Sequence, residues 1–214
     1  IRVLDDLSAG SMENLVGLKI GFVEDSILNQ SILSTLTSQC EFVFHLAAFV
    51  SVPESIQNPS KCLETNIEGT RRVMTAATDQ GCRRVIFSSS AACYGPRPTL
   101  PSKEDDVLEP ASPYASSKCD AELILETLAN TSCDTVSLRY FNVFGERQST
   151  HSDYAAVIAA FLFAIRNNKV PRLYGDGSQT RDFIHVSNVV HANLLAASHQ
   201  KTLGGGVFNV GTGE

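Results

Sequence analysis

The chain has 214 residues, of which 43% are hydrophobic and 19% are charged, and its formal net charge is −6. This is the composition of an ordinary globular protein that can bury a sizeable core, and no basic patch of the kind that tracks a phosphate backbone is present. We therefore exclude a nucleic-acid partner, and because no apolar run approaches ~20 residues, we also expect no membrane span.

Short apolar runs alternate with helical patterns along the chain. This alternation predicts an α/β fold in which helices cover both faces of a parallel sheet. The predicted strands are Ile1–Asp5, Lys19–Glu24, Phe42–His45, Arg84–Ser88, Thr135–Tyr140, Arg172–Tyr174, Phe183–Val186 and Val207–Val210. Helical spacing of apolar residues predicts helices at Ile27–Leu36, Cys62–Gln80, Tyr114–Leu128, Tyr154–Asn167 and Ser187–Ala197.

The character of the sequence changes after Gly145, where a polar loop interrupts the alternation. We expect a first domain over residues 1–145 and a smaller lobe over 146–214 that is interleaved with the last strands of the sheet. The chain opens directly on a strand pattern without Met and stops one turn after another strand. Both ends look cut, and we expect the sequence to be part of a longer protein.

The six cysteines show no spacing typical of a metal site or a redox motif, so we expect no metal centre. Cys93 and Cys119 replace small residues and are expected to be buried thiols, not nucleophiles. Free thiols and the lack of an evident signal peptide favour a reducing cytoplasm. The cysteines are Cys40, Cys62, Cys82, Cys93, Cys119 and Cys133.

A serine cluster and a Tyr–Lys pair predict a proton-transfer site. Ser88-Ser89-Ser90 follows the apolar run Arg84–Phe87, and Tyr114 and Lys118 lie four residues apart just inside the next predicted helix. Residues four apart share a helix face, and a lysine ammonium beside a tyrosine favours the phenolate and lowers its pKa. A serine hydroxyl that faces this pair can hydrogen-bond a substrate oxygen as its charge changes. The pattern predicts interconversion of an alcohol and a carbonyl by general acid–base catalysis.

Five sequence blocks in this order resemble the extended short-chain dehydrogenase/reductases, the NAD-dependent epimerase/dehydratase family, and specifically its nucleotide-sugar epimerases of the UDP-glucose 4-epimerase type. The blocks are Phe87-Ser88-Ser89-Ser90-Ala91-x-x-Tyr94-Gly95, Pro113-Tyr114-x-x-x-Lys118, Arg139-Tyr140-Phe141-Asn142-Val143, Tyr174-Gly175-Asp176-Gly177 and Arg181-Asp182-Phe183-Ile184-His185-Val186. The resemblance covers essentially the whole chain. It implies a Rossmann-like, doubly wound parallel sheet with a smaller, truncated C-terminal substrate lobe.

The resemblance also implies roles in catalysis and in binding of the cofactor, NAD. Tyr114 would be the catalytic base, Lys118 would hold the nicotinamide ribose and tune Tyr114, and Ser90 would be the hydroxyl partner, although Ser88 or Ser89 could supply that hydroxyl instead. Asp5 would bind the adenosine ribose and favour NAD over NADP, because a carboxylate repels a 2′-phosphate. The implied cofactor-binding set is Asp5, Asp25, Leu46, Ala47, Ala48, Asn66, Ser88, Tyr114, Lys118 and Tyr140.

On the substrate side, the resemblance implies that Ser90 contacts the sugar and that Asn142 and Arg181 bind the diphosphate of a UDP-hexose, since a guanidinium fork suits phosphate. Tyr154 and Leu173 are expected to flank the nucleotide base. His185 lies in a strand-like run and is expected to be a core histidine with no catalytic role.

The sequence departs from the family pattern at three places. The glycine-rich phosphate loop and the strand before it are missing, so we expect the chain as given to fold poorly, bind NAD weakly and lack activity. Ala91 and Ala92 stand where dehydratases and decarboxylases carry acids, which favours epimerisation. A lysine found in some galactose-type epimerases is replaced near Val50, so relatives acting on N-acetylated sugars or uronic acids stay open.

These observations predict a cytoplasmic, NAD-dependent nucleotide-sugar 4-epimerase of the UDP-glucose or UDP-N-acetylglucosamine type, acting through a transient 4-keto sugar. Two alternatives stay open at this point: a dehydratase or reductase of the same fold, and a non-catalytic NAD-binding interaction domain. The resemblance further implies a homodimer formed through the helices at about residues 62–80 and 114–128.

Overall fold

The structure is a computed structural model that describes residues 1–96, 99–129, 132–148, 157–173 and 175–213. Its strands are β1 (Arg2–Asp5), β2 (Gly21–Glu24), β3 (Phe42–His45), β4 (Arg84–Ser90), β5 (Asp134–Tyr140), β6 (Asn142–Phe144), β7 (Phe183–His185) and β8 (Gly206–Val210). Its α-helices are α1 (Gln30–Thr37), α2 (Val52–Gln57), α3 (Pro59–Leu63), α4 (Gly69–Asp79), α5 (Pro113–Leu128), α6 (Val157–Arg166) and α7 (Val186–Ser198). Within these ranges, no helix is both long and apolar enough to cross a membrane.

Every strand pair among the described residues is parallel. The main sheet has the order β3-β4-β5-β8, while β1 pairs with β2 and β6 with β7 in two small sheets. In the main sheet, Ser90 lies opposite Tyr140, and Tyr140 lies opposite Val210. Three strands therefore end at one row, and their following loops leave the same carboxyl edge, where parallel α/β sheets bind ligands. The predicted Rossmann-like parallel sheet is confirmed.

Helices cover both faces of β4. On one face, α4 and α5 complete a buried cluster made of Met74, Ala77, Cys82, Val85, Phe87, Ala121, Leu125 and Cys133. On the other face, α7 completes a cluster made of Ile86, Val136, Leu138, Ile184, Val189, Ala197 and Val210. Successive side chains of a strand point to opposite faces, and a strand buried on both faces is apolar at every position, as Val85-Ile86-Phe87 is.

The β1–β2 pair lies outside the hydrogen-bond ladder of the main sheet but shares a core cluster with it. Ile27, Leu33 and Val73 form this cluster together with Ala76, and Leu4 of β1 and Val43 of β3 pack against them. Helices α1 and α4 thus cover β1 and β3 as one layer.

The helix predicted over Cys62–Gln80 is present but is not regular, because the chain forms α3, then a π-helical turn at Glu64–Glu68, then α4. Gly69 restarts the regular helix where a side chain could not fit, since a Cβ there would lie 2.4 Å from Cδ1 of Ile27. The π turn carries Asn66 into the core, and π turns of this kind are frequent at functional sites. The predicted end of the helix holds, because α4 finishes at Asp79 and Gly81 follows with φ +67°.

The C-terminal third departs from the predictions at two places. Arg172 and Leu173 form no strand, and Tyr174, the third residue of the predicted strand, lies outside the described residues. The helix predicted from Tyr154 is present as α6, but its predicted first residues also lie outside the described ranges. Since β8 pairs with β5 in the main sheet, residues after 145 contribute to that sheet as well as to the C-terminal part of the chain. The domain boundary at residue 145 stays a prediction.

Candidate active site

Ser90, Tyr114 and Lys118 meet at the carboxyl edge of the main sheet. Ser90 is the last residue of β4, and its side chain faces the Tyr114 phenol, where it acts to lower the pKa of that phenol. One turn further along α5, Lys118 is buried, with its Nζ 5.8 Å from the centroid of the Tyr114 ring and 4.7 Å from that of Phe87. The structure therefore brings the three predicted catalytic side chains into one cluster.

The three consecutive serines have different partners. Ser88 Oγ donates to the hydroxyl oxygen of Tyr140 at 3.1 Å, and Ser89 Oγ donates to Oε1 of Glu122 at 2.5 Å. Ser90 alone contacts the phenol of Tyr114. Its position opposite Tyr114 makes it the serine best placed to share a substrate oxygen with that residue.

The acid–base properties of the Tyr–Lys pair differ from the expectation that Lys118 lowers the Tyr114 pKa. Burial raises the pKa of the Tyr114 phenol above its ordinary value, and the hydrogen bond from Ser90 opposes this only in part. Lys118 Nζ donates to the Ser88 carbonyl at 2.8 Å, and burial lowers its own pKa to about 8. Desolvation disfavours both charged forms, and it is the largest cause of both pKa shifts.

The N-terminal turn of α5 fixes the position of Tyr114. Ser112 caps the helix, with its Oγ accepting the Ala115 N–H at 3.1 Å, and Pro113 occupies the first helical position, where its missing N–H costs nothing. The Tyr114 N–H donates to Oγ of Ser55 on α2 at 3.3 Å. Two elements therefore hold the backbone of the tyrosine.

Asn66 ties the small-residue turn after β3 to α5. Its Oδ1 accepts the Phe49 N–H at 2.7 Å, and its Nδ2 donates to the Phe49 carbonyl at 3.1 Å and to Oγ of Ser117 at 2.8 Å. Ser117 in turn donates to the Tyr114 carbonyl at 2.7 Å. The turn that contains the predicted cofactor residues Leu46–Ala48 is thereby held beside the catalytic helix.

Tyr140, the last residue of β5, lies behind the serine cluster. Its hydroxyl oxygen accepts from Ser88 Oγ and also from Nδ2 of Asn193 on α7 at 2.7 Å. Burial raises the pKa of this tyrosine, which therefore stays a neutral phenol. Tyr140 therefore helps to hold Ser88, whose carbonyl accepts the hydrogen bond from Lys118.

Asp5 and Asp25 lie together at the carboxyl edge of the β1–β2 pair. Asp5 ends β1, Asp25 follows β2, and the Asp25 N–H donates to the Asp5 carbonyl at 3.3 Å. The Asp5 carboxylate accepts the Leu7 N–H at 2.7 Å, and that of Asp25 accepts from Asn29 at 2.9 Å. Both predicted adenosine-binding carboxylates thus lie at or just after a strand end, and their hydrogen-bond partners are close in sequence.

The two predicted diphosphate residues lie at the β6–β7 pair. Asn142 begins β6, is exposed, and donates through Nδ2 to the Asp182 carbonyl at 3.0 Å. Arg181 is exposed just before β7, where it donates to the Thr180 carbonyl at 2.7 Å. Of the residues predicted to flank a base, Leu173 is 58% exposed and Tyr154 lies outside the described residues.

His185 is not the core histidine that the sequence predicted. It ends β7 half-exposed and caps α7, with its Nδ1 accepting the Ser187 N–H at 3.3 Å. The core histidine is His45, whose Nε2 donates at 2.8 Å to Thr70, because the Thr70 hydroxyl donates to the Asn66 carbonyl. Burial and then the charge of Lys118 lower the pKa of His45 to about 3, so this ring is neutral.

A buried ion pair beneath the site was missed by the sequence analysis. Arg139 on β5 binds Glu122 on α5 through both carboxylate oxygens, at 3.0 and 2.7 Å. Glu122 also accepts from Ser89, and Arg139 donates at 2.9 Å to the hydroxyl of Tyr94, which donates at 2.6 Å to Asn209. The sequence does contain a signal for it, since Glu122 continues the four-residue spacing of Tyr114 and Lys118.

The cysteines in this segment agree in part with their prediction. Cys93 is fully buried, and its thiol donates to the Ala115 carbonyl at 3.9 Å, whereas Cys119 is only partly buried. No group of acidic, histidine or cysteine side chains within the described ranges could hold a metal ion.

Comparisons with known proteins identify the family and agree with the fold. The family model of the NAD dependent epimerase/dehydratase family matches residues 1–211. UDP-glucose 4-epimerase of Mycolicibacterium smegmatis is 38% identical over 217 residues, which cover 98% of this chain and 68% of that protein. The structure of UDP-N-acetylglucosamine 4-epimerase from Methanobrevibacter ruminantium M1, in complex with UDP-N-acetylmuramic acid, superposes with a TM-score of 0.94 at 40% identity and covers 100% of this chain and 69% of that one.

A relative with different chemistry also matches. UDP-N-acetyl-alpha-D-glucosaminuronate decarboxylase of Bacillus cytotoxicus is 32% identical over 220 residues, which cover 99% of this chain and 67% of that protein. The chain thus spans about two thirds of the length of these relatives.

Proposed function

The chain belongs to the NAD dependent epimerase/dehydratase family, and from that premise we propose that it acts as a nucleotide-sugar 4-epimerase. The observation that carries this proposal is the contact between Ser90 and Tyr114 at the carboxyl edge of the sheet, with Lys118 one helical turn away. A serine hydroxyl and a phenol that face each other can both hydrogen-bond a third oxygen, that of a sugar hydroxyl. They can then move its proton as the carbon is oxidised and reduced.

The residues of the chain supply the proton chemistry. Tyr114 accepts the proton from the sugar 4-hydroxyl and returns it when the alcohol is restored, while Ser90 keeps that oxygen within reach. When bound, NAD supplies reversible hydride acceptance at the sugar carbon and a positive charge that favours the Tyr114 phenolate. That charge is needed because burial alone raises the Tyr114 pKa.

The described residues fit a dinucleotide. Asp5 and Asp25 place two carboxylates at neighbouring strand ends, where ribose hydroxyls and an adenine edge can donate to them, and a carboxylate at Asp5 disfavours a 2′-phosphate. In the turn Leu46–Ala48, the small side chains of Ala47 and Ala48 would let a pyrophosphate approach the backbone. Lys118 is the ammonium that would bind the nicotinamide ribose. The remaining cofactor contacts would come from Asn66, Ser88, Tyr114 and Tyr140.

A UDP-hexose is the substrate class we propose. Asn142 and Arg181 are exposed donors at the small β6–β7 sheet, and Asn142 lies two residues beyond the Ser90–Tyr140 row. On this proposal the diphosphate and the sugar would lie along one edge of the sheet. The relatives named UDP-glucose 4-epimerase and UDP-N-acetylglucosamine 4-epimerase support the choice of sugar.

Epimerisation is favoured over the elimination and decarboxylation carried out by other members of the family. The two residues after Ser90 are Ala91 and Ala92, which offer no carboxyl group to the sugar. The carboxylate next to the serine cluster, that of Glu122, is buried and bound on both oxygens by Arg139. A dehydratase or reductase of the same fold is the alternative, and it would leave a 4-keto-6-deoxy product or consume reduced cofactor.

We also propose that the protein works as a homodimer through the helical layer containing α3, α4 and α5. Leu123 on α5 is 60% exposed and Leu63 at the end of α3 is 38% exposed, so this layer presents apolar side chains outward. A molar mass twice that of one chain in light scattering would support this assembly, and a monomer at working concentrations would contradict it.

The experiment that tests the site compares Tyr114→Phe, Ser90→Ala and Ser89→Ala in the protein expressed from its complete reading frame. We expect Tyr114→Phe to lower kcat by three or more orders of magnitude and Ser90→Ala by about 100-fold, with NAD still bound. Ser89→Ala, whose hydroxyl contacts Glu122, should lose less than about tenfold. Retained activity in Tyr114→Phe, or a larger loss in Ser89→Ala than in Ser90→Ala, would reject the assignment.

A further inference from the structure

Asp182 lies between the two proposed diphosphate residues and the end of the main sheet. It follows Arg181 directly, and its carbonyl accepts both the backbone N–H and the Nδ2 of Asn142, each at 3.0 Å. The side-chain amide of Asn142 has two protons. The bond to Asp182 uses one of them and thereby orients the other.

The Asp182 carboxylate is bound by the turn after β8. The Thr212 N–H reaches both oxygens at 2.9 Å, the Thr212 hydroxyl donates to Oδ1 at 2.8 Å, and the Gly213 N–H donates to Oδ2 at 2.8 Å. These donors lower the pKa of the carboxyl group although partial burial acts to raise it. The turn therefore binds Asp182 as an ionised carboxylate.

Gly211 shows how closely the turn fits Asp182. A Cβ at this position would lie 2.6 Å from Oδ2 of Asp182 and 3.1 Å from the ring of Phe141. Such distances cannot be relieved without moving the carboxylate or the strand junction. A residue without a side chain is therefore required for Asp182 to reach the turn.

The turn is itself anchored to the reaction site. Val210, the residue before it, is opposite Tyr140, which is opposite Ser90, and the Phe141 N–H donates to the Val210 carbonyl at 3.1 Å. A short hydrogen-bonded path thus runs from Ser90 across two strands to the turn and on to Asp182. Through the Asp182 carbonyl the path reaches Asn142.

We propose that Asp182 is a positioning residue, which fixes Asn142 and Arg181 at a set distance from Ser90 so that they bind the diphosphate of the nucleotide sugar. This inference rests on the proposed function, because it concerns the same substrate. Asp182 does not touch the substrate itself. It joins the β6–β7 sheet, which carries the diphosphate donors, to the main sheet, which carries the proton-transfer residues.

The test is Asp182→Asn in the full-length protein, with UDP and uridine as probes. An amide puts a donor where a carboxylate oxygen faces the Thr212 and Gly213 N–H groups, so the turn should separate from residue 182. We expect the Kd for UDP and the KM for the nucleotide sugar to rise at least tenfold. The kcat at saturation should stay within about threefold, with NAD content and the Kd for uridine unchanged.

Two further variants keep the test decisive. Thr212→Val removes one donor to the carboxylate and leaves Asp182 in place, so it should raise the Kd for UDP about threefold even if Asp182→Asn folds poorly. Asp106→Asn is the matched control, because that carboxylate accepts a backbone N–H from Lys103 within its own loop. It should change no parameter.

The outcomes separate this inference from the proposed function. If the wild-type protein binds UDP and epimerises the sugar but Asp182→Asn and Thr212→Val bind UDP equally well, the positioning role is wrong and the function stands. An equal loss of UDP, uridine and NAD binding would show a merely structural residue and would also reject it. If the wild-type protein binds no UDP, the proposed substrate class fails and the inference fails with it.

Discussion

The residues around the proposed proton-transfer site differ from the proposed cofactor- and substrate-binding residues in the contacts that hold them in place. Lys118 reaches the Ser88 carbonyl across 30 residues of sequence, and Ser88 reaches Tyr140 across 52. Asp5, by contrast, binds an N–H two residues along, and Arg181 binds the carbonyl of its immediate neighbour. The first group lies where α5 and α7 pack on the main sheet. The second lies at the edges of the two small sheets.

This difference separates what the fold imposes from what the local sequence imposes. A proton-transfer site needs groups fixed to within a fraction of an ångström, and buried long-range contacts provide that rigidity. Residues that bind the ends of a long ligand need less precise placement, so contacts to residues nearby in sequence are enough to hold them. Asn142 is the exception among them, because Asp182 ties it to the main sheet.

The comparison predicts that breaking the buried pair under the proposed proton-transfer site costs far more than breaking an exposed pair. Replacing Glu122 by Gln leaves Arg139 buried and without a counter-charge, and such a loss costs about 3–5 kcal/mol of stability. The matched control is Glu68→Gln, which breaks the exposed pair with Arg72 and should cost less than about 0.5 kcal/mol. Urea unfolding of both variants measures the difference.

Equal losses of unfolding free energy in Glu122→Gln and Glu68→Gln would contradict this prediction. A sharper version replaces both buried partners at once, with Glu122→Leu and Arg139→Met. Because the double change leaves no buried charge unpaired, it should be less destabilising than the single change to Gln.

The burial of Lys118 predicts an unusual pH dependence of stability. Its pKa is about 8 in the folded chain against 10.5 for an ordinary lysine. Between these values the unfolded chain binds more protons, so the free energy of unfolding rises with pH. The burial cost is fully present below pH 8 and is relieved by pH 10.5, a gain of up to about 3 kcal/mol.

The measurement compares the wild-type chain with Lys118→Met, both stripped of nucleotide, by urea unfolding from pH 7.5 to 10.5. Other titrating groups are common to both proteins, so the difference isolates Lys118. If the wild-type stability does not rise relative to Lys118→Met over this range, the lysine is less buried than the structure indicates.

The smallest expected effect concerns the exposed binding residues. Asp5→Asn removes the carboxylate that disfavours a 2′-phosphate, so the affinity for NADP relative to NAD should improve about tenfold, or ~1.4 kcal/mol. The neighbouring Asp6 accepts only from Ser8, and Asp6→Asn should leave the ratio within about twofold. Fluorescence titration with both dinucleotides checks this, and an unchanged ratio in Asp5→Asn would remove Asp5 from the cofactor site.

The central strand β4 was predictable because Val85-Ile86-Phe87 is buried on both faces and is therefore apolar at every position. Arg84–Ser88 was recognised in this way, and the structure extends it to Ser90. The π turn at Glu64–Glu68 was not predicted, because the apolar spacing of this segment is that of a continuous helix. Helical periodicity alone continues through such a turn.

The candidate site shows the same limit. Local spacing identified Tyr114 and Lys118, but three serines in a row were indistinguishable until their partners were known. His185 was misplaced because a strand-like run does not reveal that its last residue caps the following helix. The predicted direction of the Tyr114 pKa shift was also wrong, because the extent of burial depends on the tertiary structure.

The most direct test of the central claim incubates the protein, expressed from its complete reading frame, with UDP-glucose and separately with UDP-N-acetylglucosamine, without added NAD. NMR at the sugar C4 identifies the product. The account predicts conversion to the galacto isomer with no net change in nicotinamide redox state, because bound NAD is regenerated in each cycle. A 4-keto-6-deoxy product, or no isomer and no bound NAD, would contradict it.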